Sequence, residues 1–160
     1  MNSRAQGPEH YLTEEGAARL RVELEELKGP QRVELAQRLR TAIQQGDLSE
    51  NADYAKAKED QAFLEGRIQE LEALLRHAVI IAEDGSKDGV IKLGSRITIK
   101  EDGRKAVKYF MVGAKEANPR EGRISNESPI GQALLGHREK EKVIVKTPRG
   151  ELELEILKVE

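Results

Sequence analysis

Cysteine is absent from all 160 residues, which excludes disulfides, thiolate nucleophiles and Cys-based zinc sites and fits a reducing compartment. Tryptophan is also absent, and three Tyr with two Phe leave few rings to fill a core or to stack on bases. No apolar run exceeds residues 78–82, far short of the ~20 residues that cross a bilayer. The first ten residues carry Pro, Gly and charge but no apolar stretch, so no signal peptide is expected. A surplus of one charge is missing too: 27 Lys+Arg stand against 29 Asp+Glu, a net charge of -2. Neither a nucleic acid nor an anionic membrane is therefore demanded as a partner. These absences predict a soluble cytoplasmic protein with no membrane partner.

What is plentiful is charge of both signs, 35% of the chain, which suits long exposed helices. Leu12-Thr13-Glu14-Glu15-Gly16 reads as a helix start, with Thr13 as N-cap, acids in the first turn and Leu12 placed to staple onto Ala17. Ala17, Leu20, Leu24 and Leu27 follow a three-four spacing that Leu35, Leu39, Ala42 and Ile43 resume after an eleven-residue step from Leu24. Gly29-Pro30 lies inside that step, and an interruption of the helix is expected there. A second helical segment runs from about Ser49 to His77, with Leu64, Ile68, Leu71 and Leu75 in heptad alternation. Folding back at Leu48 sets Leu20 against Leu75, Leu24 against Leu71, Leu27 against Ile68, and Ala42 or Ile43 against Tyr54. This is the pattern of an antiparallel coiled-coil hairpin with one seam. Its arm is roughly 50 Å long at the rise of an α-helix. A mostly Ala seam near the turn and charged outer faces leave no stripe for a second copy, so a monomer is expected.

Beyond residue 78 the periodicity alternates. Residues 79–81, 96–100 and 107–112 read as strands, Asp102-Gly103 as a hairpin turn, and 143–145 with 152–157 as a second hairpin around Pro148-Arg149-Gly150. Ser128-Pro129 opens a short helix that Gly136 stops. The fold class is α+β: a helical hairpin over 1–78 and an antiparallel sheet with one short helix over 79–160.

The turn between the helices, GDLSENADY at 46–54, carries Asp47, Glu50 and Asp53 and little apolar surface. One reading of Asp47 and Glu50 is a capping box, N-cap and N3, worth about 1 kcal/mol. Another is half of a metal site. Two carboxylates cannot fill the six-ligand shell of Mg²⁺, but can complete one that a partner partly supplies, and a slender arm suits such delivery.

Leu12-Thr13-x-x-Gly16, the tip GDLSENADY, Ala57-Lys58-Glu59, Glu65-Gly66-Arg67-Ile68, ISxxSPI at 124–130 and KTPxGE at 146–151 resemble the bacterial transcript-cleavage factors GreA and GreB. The resemblance covers about residues 11–160. It implies a coiled-coil hairpin and a C-terminal domain similar to FK506-binding proteins, which docks on the rim of the RNA polymerase secondary channel while the hairpin passes down it. Asp47 and Glu50 then match the tip acids that help hold a Mg²⁺ shared with the polymerase and orient the attacking water. The polymerase cleaves its own backtracked RNA, so the factor is not itself an enzyme. Ser49, Asn51 and Tyr54 match tip residues that support the acids, and Lys58 matches a basic residue near the backtracked RNA 3' end. Lys56 and Lys58 read equally as a solvated helix face. Glu127, Ser128 and Pro129 match the polymerase-gripping loop, beside their reading as a helix cap.

Two positions depart from the family pattern. Val33 stands where many relatives carry a helix proline, here moved to Pro30, and Glu127 stands where relatives have Asp or Asn. Members with a changed acidic tip inhibit the polymerase, and a channel-binding regulator without cleavage stimulation is the alternative function. Self-sufficient catalysis lacks support: His10, His77 and His137 have no ligand spacing and no P-loop is present. A prolyl isomerase pocket would have only Tyr109 and Phe110 beyond residue 78 to line it.

Overall fold

The computed structural model describes residues 10–47, 49–82, 88–101 and 103–160. In chain order these form β1 (His10–Thr13), α1 (Glu14–Glu26), a π-helical turn (Leu27–Gln31), α2 (Arg32–Gln44), α3 (Ala52–His77) and β2 (Ala78–Ile81). There follow β3 (Arg96–Glu101), β4 (Val107–Val112), two 3-10 turns (Ala114–Glu116 and Pro119–Glu121), β5 (Arg123–Ser125), α4 (Pro129–Leu134), β6 (Lys142–Thr147) and β7 (Gly150–Val159). The chain divides into two units, Ala17–His77 on one hand and Met1–Gly16 with Ala78–Glu160 on the other.

The first unit is the helical hairpin. Leu27, Leu35, Ala57, Leu64, Ile68 and Leu71 form its buried cluster, with Leu20, Leu24 and Leu39 partly buried against it. Lys28 pairs with Glu72, Arg32 with Glu65, Arg38 with Asp60 and Arg67 with Glu23 across the two limbs at 2.6–3.1 Å. Such part-exposed pairs contribute little stability singly. Repeated along both flanks, they select one register. Two seam positions differ from the simple heptad reading. Leu74 is buried and Leu75 only half-buried, because a 3.6-residue helix drifts past a 3.5-residue pattern over several turns. Towards the turn Ala42 takes the seam, while Ile43 is 51% exposed.

The expected interruption at Gly29-Pro30 is a π-turn, with Pro30 inside it and Leu27 buried at its start. Two causes meet there. Leu27 and Leu35 are eight residues apart, one more than a heptad, and a π-turn absorbs one extra residue without turning the flanking apolar face away. Pro30 lacks the N–H that an unbroken α-helix would need. By contrast, α3 runs 26 residues without a break.

Leu71 is fully buried in the seam. Leu71→Ala should cost about 2–5 kcal/mol in chemical denaturation. Val22→Ala, at a side chain 67% exposed, should stay within about 0.5 kcal/mol of wild type.

In the other unit the five-stranded sheet has the order β5-β4-β3-β7-β6, antiparallel except for the β4–β5 pair. One face carries Ile97, Ile99, Met111, Val145, Leu154 and Ile156 into a buried core. Leu134 of α4 is fully buried in the same cluster, and α4 packs on β5 and β6. Along β6, β7 and β3, Lys142 registers with Glu155 and Glu155 with Lys100, while Lys146 registers with Glu151. Cross-strand pairs of opposite charge keep this side solvated. The turn before β4 is closed by the Arg104 N–H donating to the Glu101 carbonyl at 2.9 Å, with Gly103 at φ 73°. Asp102 and Leu48, both assigned to turns from the sequence, lie outside the described residues.

The segment 79–81 is a strand, as expected, but it stands apart from this sheet. Ala78–Ile81 pairs in parallel with His10–Thr13 in a two-stranded ribbon. Chain positions separated by the whole helical hairpin are thereby hydrogen-bonded side by side. The 3-10 turn Ala114–Glu116 packs on β1, and Glu116 is buried there. No described helix is long and apolar enough to cross a membrane.

Candidate functional site

Helix α2 ends because Gly46 takes φ 107°, a left-handed conformation that a side chain would strain. The N–H groups of Gln45 and Gly46 donate to the carbonyls of Ala42 and Ile43 at 3.2 and 3.4 Å. The turn is then closed by Asn51. Its Nδ2 donates to the Ala42 carbonyl at 2.8 Å, and its Oδ1 accepts from the Tyr54 N–H at 3.0 Å. Asn51 is thus the N-cap of α3 and the tie to the end of α2 at once. Tyr54, half-buried, is the N3 residue of that cap.

This arrangement removes the capping-box reading of the acids. Helix α3 starts at Ala52, three residues later than the sequence suggested, so Asp47 is not its N-cap and Glu50 is not its N3 residue. The Asp47 Oδ1 instead accepts from the Ser49 N–H at 3.0 Å and the Ser49 hydroxyl at 2.6 Å, a local Asx turn. Asp47, Ser49 and Glu50 are exposed. The Glu50 carboxylate has no hydrogen bond or ion pair with another described residue.

The Ser49 hydroxyl, with help from its N–H, holds the Asp47 carboxyl below the ordinary aspartate range. Asp47 therefore stays anionic to lower pH than a free carboxylate. With a depressed folded value, any stabilisation from this turn is present above the ordinary range and is lost as pH falls through the lowered value. Ser49→Ala should move the Asp47 titration, followed by carboxyl chemical shifts, up towards the ordinary range. An unchanged midpoint would mean that Ser49 does not hold the carboxylate.

The two lysines of the first turns of α3 separate cleanly. Lys56 pairs with Glu59 and Asp60 at 3.0 and 3.2 Å, and these bonds raise its pKa. Lys58 donates only to the neutral Gln61 amide, at 2.8 Å, so its charge is not cancelled by a described carboxylate. A groove of about 410 Å³ beside the turn is lined by residues including Arg38, Thr41, Asp53 and Lys56, but not by Asp47, Ser49 or Glu50. The acids project outside it.

In the other unit, Ser128 caps α4: its hydroxyl accepts from the Gly131 N–H at 3.0 Å and donates to the Ser125 carbonyl at 2.7 Å. Pro129 occupies N1, where its missing N–H costs nothing. The Glu127 N–H donates to Ser125 Oγ at 3.0 Å, and the Glu127 and Pro129 side chains are exposed. The cap reading of this loop is realised, and it leaves two of three side chains facing solvent. Asp47, Glu50 and their supports lie in one unit and Glu127–Pro129 in the other, each a local constellation.

The exposed carboxylates are hard oxygen donors, the type Mg²⁺ prefers. Among the described residues no group of three His, Cys, Asp or Glu side chains is placed to hold a metal. By themselves the described residues fall short of a complete site.

Fold and turn together define a protein with exposed carboxylates on the turn of a two-helix hairpin. The N-terminal model of a transcription elongation factor family matches residues 10–80, and the C-terminal GreA/GreB model matches residues 86–160. The chain is 52% identical over 150 residues to transcription elongation factor GreA of Chloroflexus aggregans, covering 93% of this chain and 96% of that protein. It is 49% identical over 150 residues to GreA of Bacillus cytotoxicus, covering 92% and 94%. Among solved structures, GreA factor homolog 1 of Thermus thermophilus is 31% identical, covers 96% of this chain and 99% of its own, and has a TM-score of 0.44. The chain belongs to the GreA/GreB family of transcription elongation factors.

Proposed function

We propose that Asp47 and Glu50 are the groups through which this chain acts, as part of the ligand set of a Mg²⁺ held mainly by RNA polymerase. The protein is a GreA-type elongation factor that acts at the polymerase secondary channel to stimulate cleavage of backtracked transcripts. It is not itself the catalyst; it activates the intrinsic cleavage activity of the polymerase. The observation that carries the assignment is that neither acid is spent on the helix cap, which Asn51 provides.

When bound, Mg²⁺ supplies Lewis-acid charge for hydrolysis of the RNA phosphodiester. The chain's own residues do the rest. Asp47, held in place by Ser49, and Glu50, unpaired among the described residues, would offer oxygens to the ion and accept hydrogen bonds from the attacking water, fixing its direction. Asn51 and Tyr54 hold the turn in shape. Lys58 supplies a positive charge for the phosphates of the backtracked RNA 3' end. Glu127, Ser128 and Pro129 form the surface that grips the polymerase rim, and the factor works as a monomer.

The test is reconstitution. Purified factor with RNA and Mg²⁺ should release nothing, whereas stalled elongation complexes should release short 3' fragments when it is added. Fragment release without polymerase would overturn the assignment. A channel-binding regulator of the alternative kind would bind the complex and leave the RNA intact.

A further inference from the structure

The Leu12-Thr13-x-x-Gly16 motif is not used by the acidic turn, and the structure gives it a separate purpose. The Thr13 N–H donates to Glu116 Oε2 at 2.6 Å and the Thr13 hydroxyl to Glu116 Oε1 at 2.7 Å. The same hydroxyl accepts from the Gly16 N–H at 3.0 Å, capping α1. A Cβ on Gly16 would collide with Glu116 Oε1, so only glycine leaves room for this carboxylate over the first turn. On its other side Glu116 faces Arg123, 3.5 Å away, and the two side chains are 4% and 10% exposed. Arg123 in turn lies over the Phe110 ring, 5.6 Å from its centre, and Arg96 lies over the same ring at 4.8 Å. A buried ion pair flanked by an aromatic ring thus ends on one backbone N–H and one hydroxyl at the first turn of α1.

The location is what matters. Thr13 is the last residue of β1 and the residue before α1, and Ala78, which opens β2, directly follows α3. The β1–β2 ribbon registers His10 with Ala78 and Thr13 with Ile81. The strands that lead into α1 and out of α3 are thus paired with each other, and Glu116 bonds to the residue that caps α1. A carboxylate is costly to bury, and one spent on a helix start is a rigid, directional tie.

We propose that Glu116 and Thr13 are positioning residues for transcript cleavage: by fixing the first turn of α1, they let docking of the globular unit on the polymerase place the acidic turn. This rests on the function proposed above. Polymerase binding runs through Glu127–Pro129, so loosening the root should leave binding intact while fewer bound molecules hold the acids in place.

The test uses Thr13→Val, which keeps shape and removes the hydroxyl, against Thr13→Ser, which keeps it. Cleavage of stalled complexes is measured at saturating factor, with the half-saturating concentration taken from the same titrations and Asp47→Ala run alongside. Thr13→Val should lower the saturated rate about tenfold and leave the half-saturating concentration within about threefold of wild type. Thr13→Ser should restore most of the rate. Hydrogen exchange at residues 10–16 should quicken in Thr13→Val and return in Thr13→Ser. An unchanged saturated rate, or loss of rate and binding together, would overturn the proposal. Should Thr13→Val not fold, Glu116→Gln, which keeps the volume and loses an acceptor, is read by the same criteria. If Asp47→Ala retains full cleavage, the role of the tip fails whatever the Thr13 variants do, so the two failures can be told apart.

Discussion

Cleavage of stalled transcripts by complexes carrying Asp47→Ala or Glu50→Ala is expected to fall about a hundredfold or more, the scale on which a displaced ligand acts in metal-assisted hydrolysis. Thermal unfolding and polymerase binding should stay at the wild-type level. Structure supports this split directly. Among the described residues Asp47 bonds only locally, to Ser49 within the exposed turn, and Glu50 bonds to none, so neither contributes to the seam of the hairpin. The N-cap of α3 and the tie to α2 are both provided by Asn51. Asn51→Ala is the contrasting case: it removes the cap and the bond to the Ala42 carbonyl, and should cost about 1–2 kcal/mol. Its cleavage defect should come with a less stable hairpin. If Asp47→Ala destabilised the hairpin as Asn51→Ala does, the acids would be structural and the functional assignment would lose its footing.

Glu116→Ala should destabilise the globular unit by about 3–5 kcal/mol, the cost of leaving a buried partner charge uncompensated. Arg123 would remain enclosed with no carboxylate at 3.5 Å, and the Thr13 N–H and hydroxyl would lose their acceptors. Differential scanning calorimetry should show the transition of this unit lowered by roughly 10 °C or more. The double change Glu116→Leu with Arg123→Met removes both charges and should recover much of the loss, because apolar groups of similar volume can replace a buried ion pair. Recovery that fails in the double variant would place the importance of Glu116 in its bonds to Thr13 rather than in its charge.

The hairpin was legible because its signal repeats. Leu20, Leu24, Leu27, Leu64, Ile68 and Leu71 state the seam many times over, and errors such as Leu75 for Leu74 shift it by a single residue. Gly29-Pro30 marked the break, since Pro announces a missing N–H in any helix. That the break is a π-turn follows from the eight residues between Leu27 and Leu35, a count that could have been read in advance. Strands β3, β4, β6 and β7 were visible as alternation between turns. β5 was not, because Arg123–Ser125 is too short to show a period. Nor was the parallel ribbon, because strand pairing depends on what lies beside His10–Thr13 in space, and the residues it meets are more than sixty positions away.

The site followed the same division. The exposure of Asp47 and Glu50 in the turn was legible in GDLSEN, whereas their freedom from capping was not, since Asp47, Asn51 and Ser49 are all good N-cap residues and only the backbone selects among them. Glu116 gave no local sign at all. A glutamate in a loop reads as solvated, and what makes this one buried is Thr13 and Gly16 brought to it from 100 or more positions earlier in the chain.

The most direct measurement of the central claim exploits the missing cysteine. Asp47→Cys places one thiolate in a chain with none, and soft metals favour sulfur where Mg²⁺ does not. Cleavage of stalled complexes should be nearly lost with Asp47→Cys in Mg²⁺ alone and should return when micromolar Cd²⁺ is added, with no such gain for the wild-type factor, for Asp47→Ser or for polymerase by itself. Full activity of Asp47→Cys in Mg²⁺ alone, or a defect that Cd²⁺ leaves untouched while polymerase binding is normal, would contradict the delivery of a metal ligand by this turn.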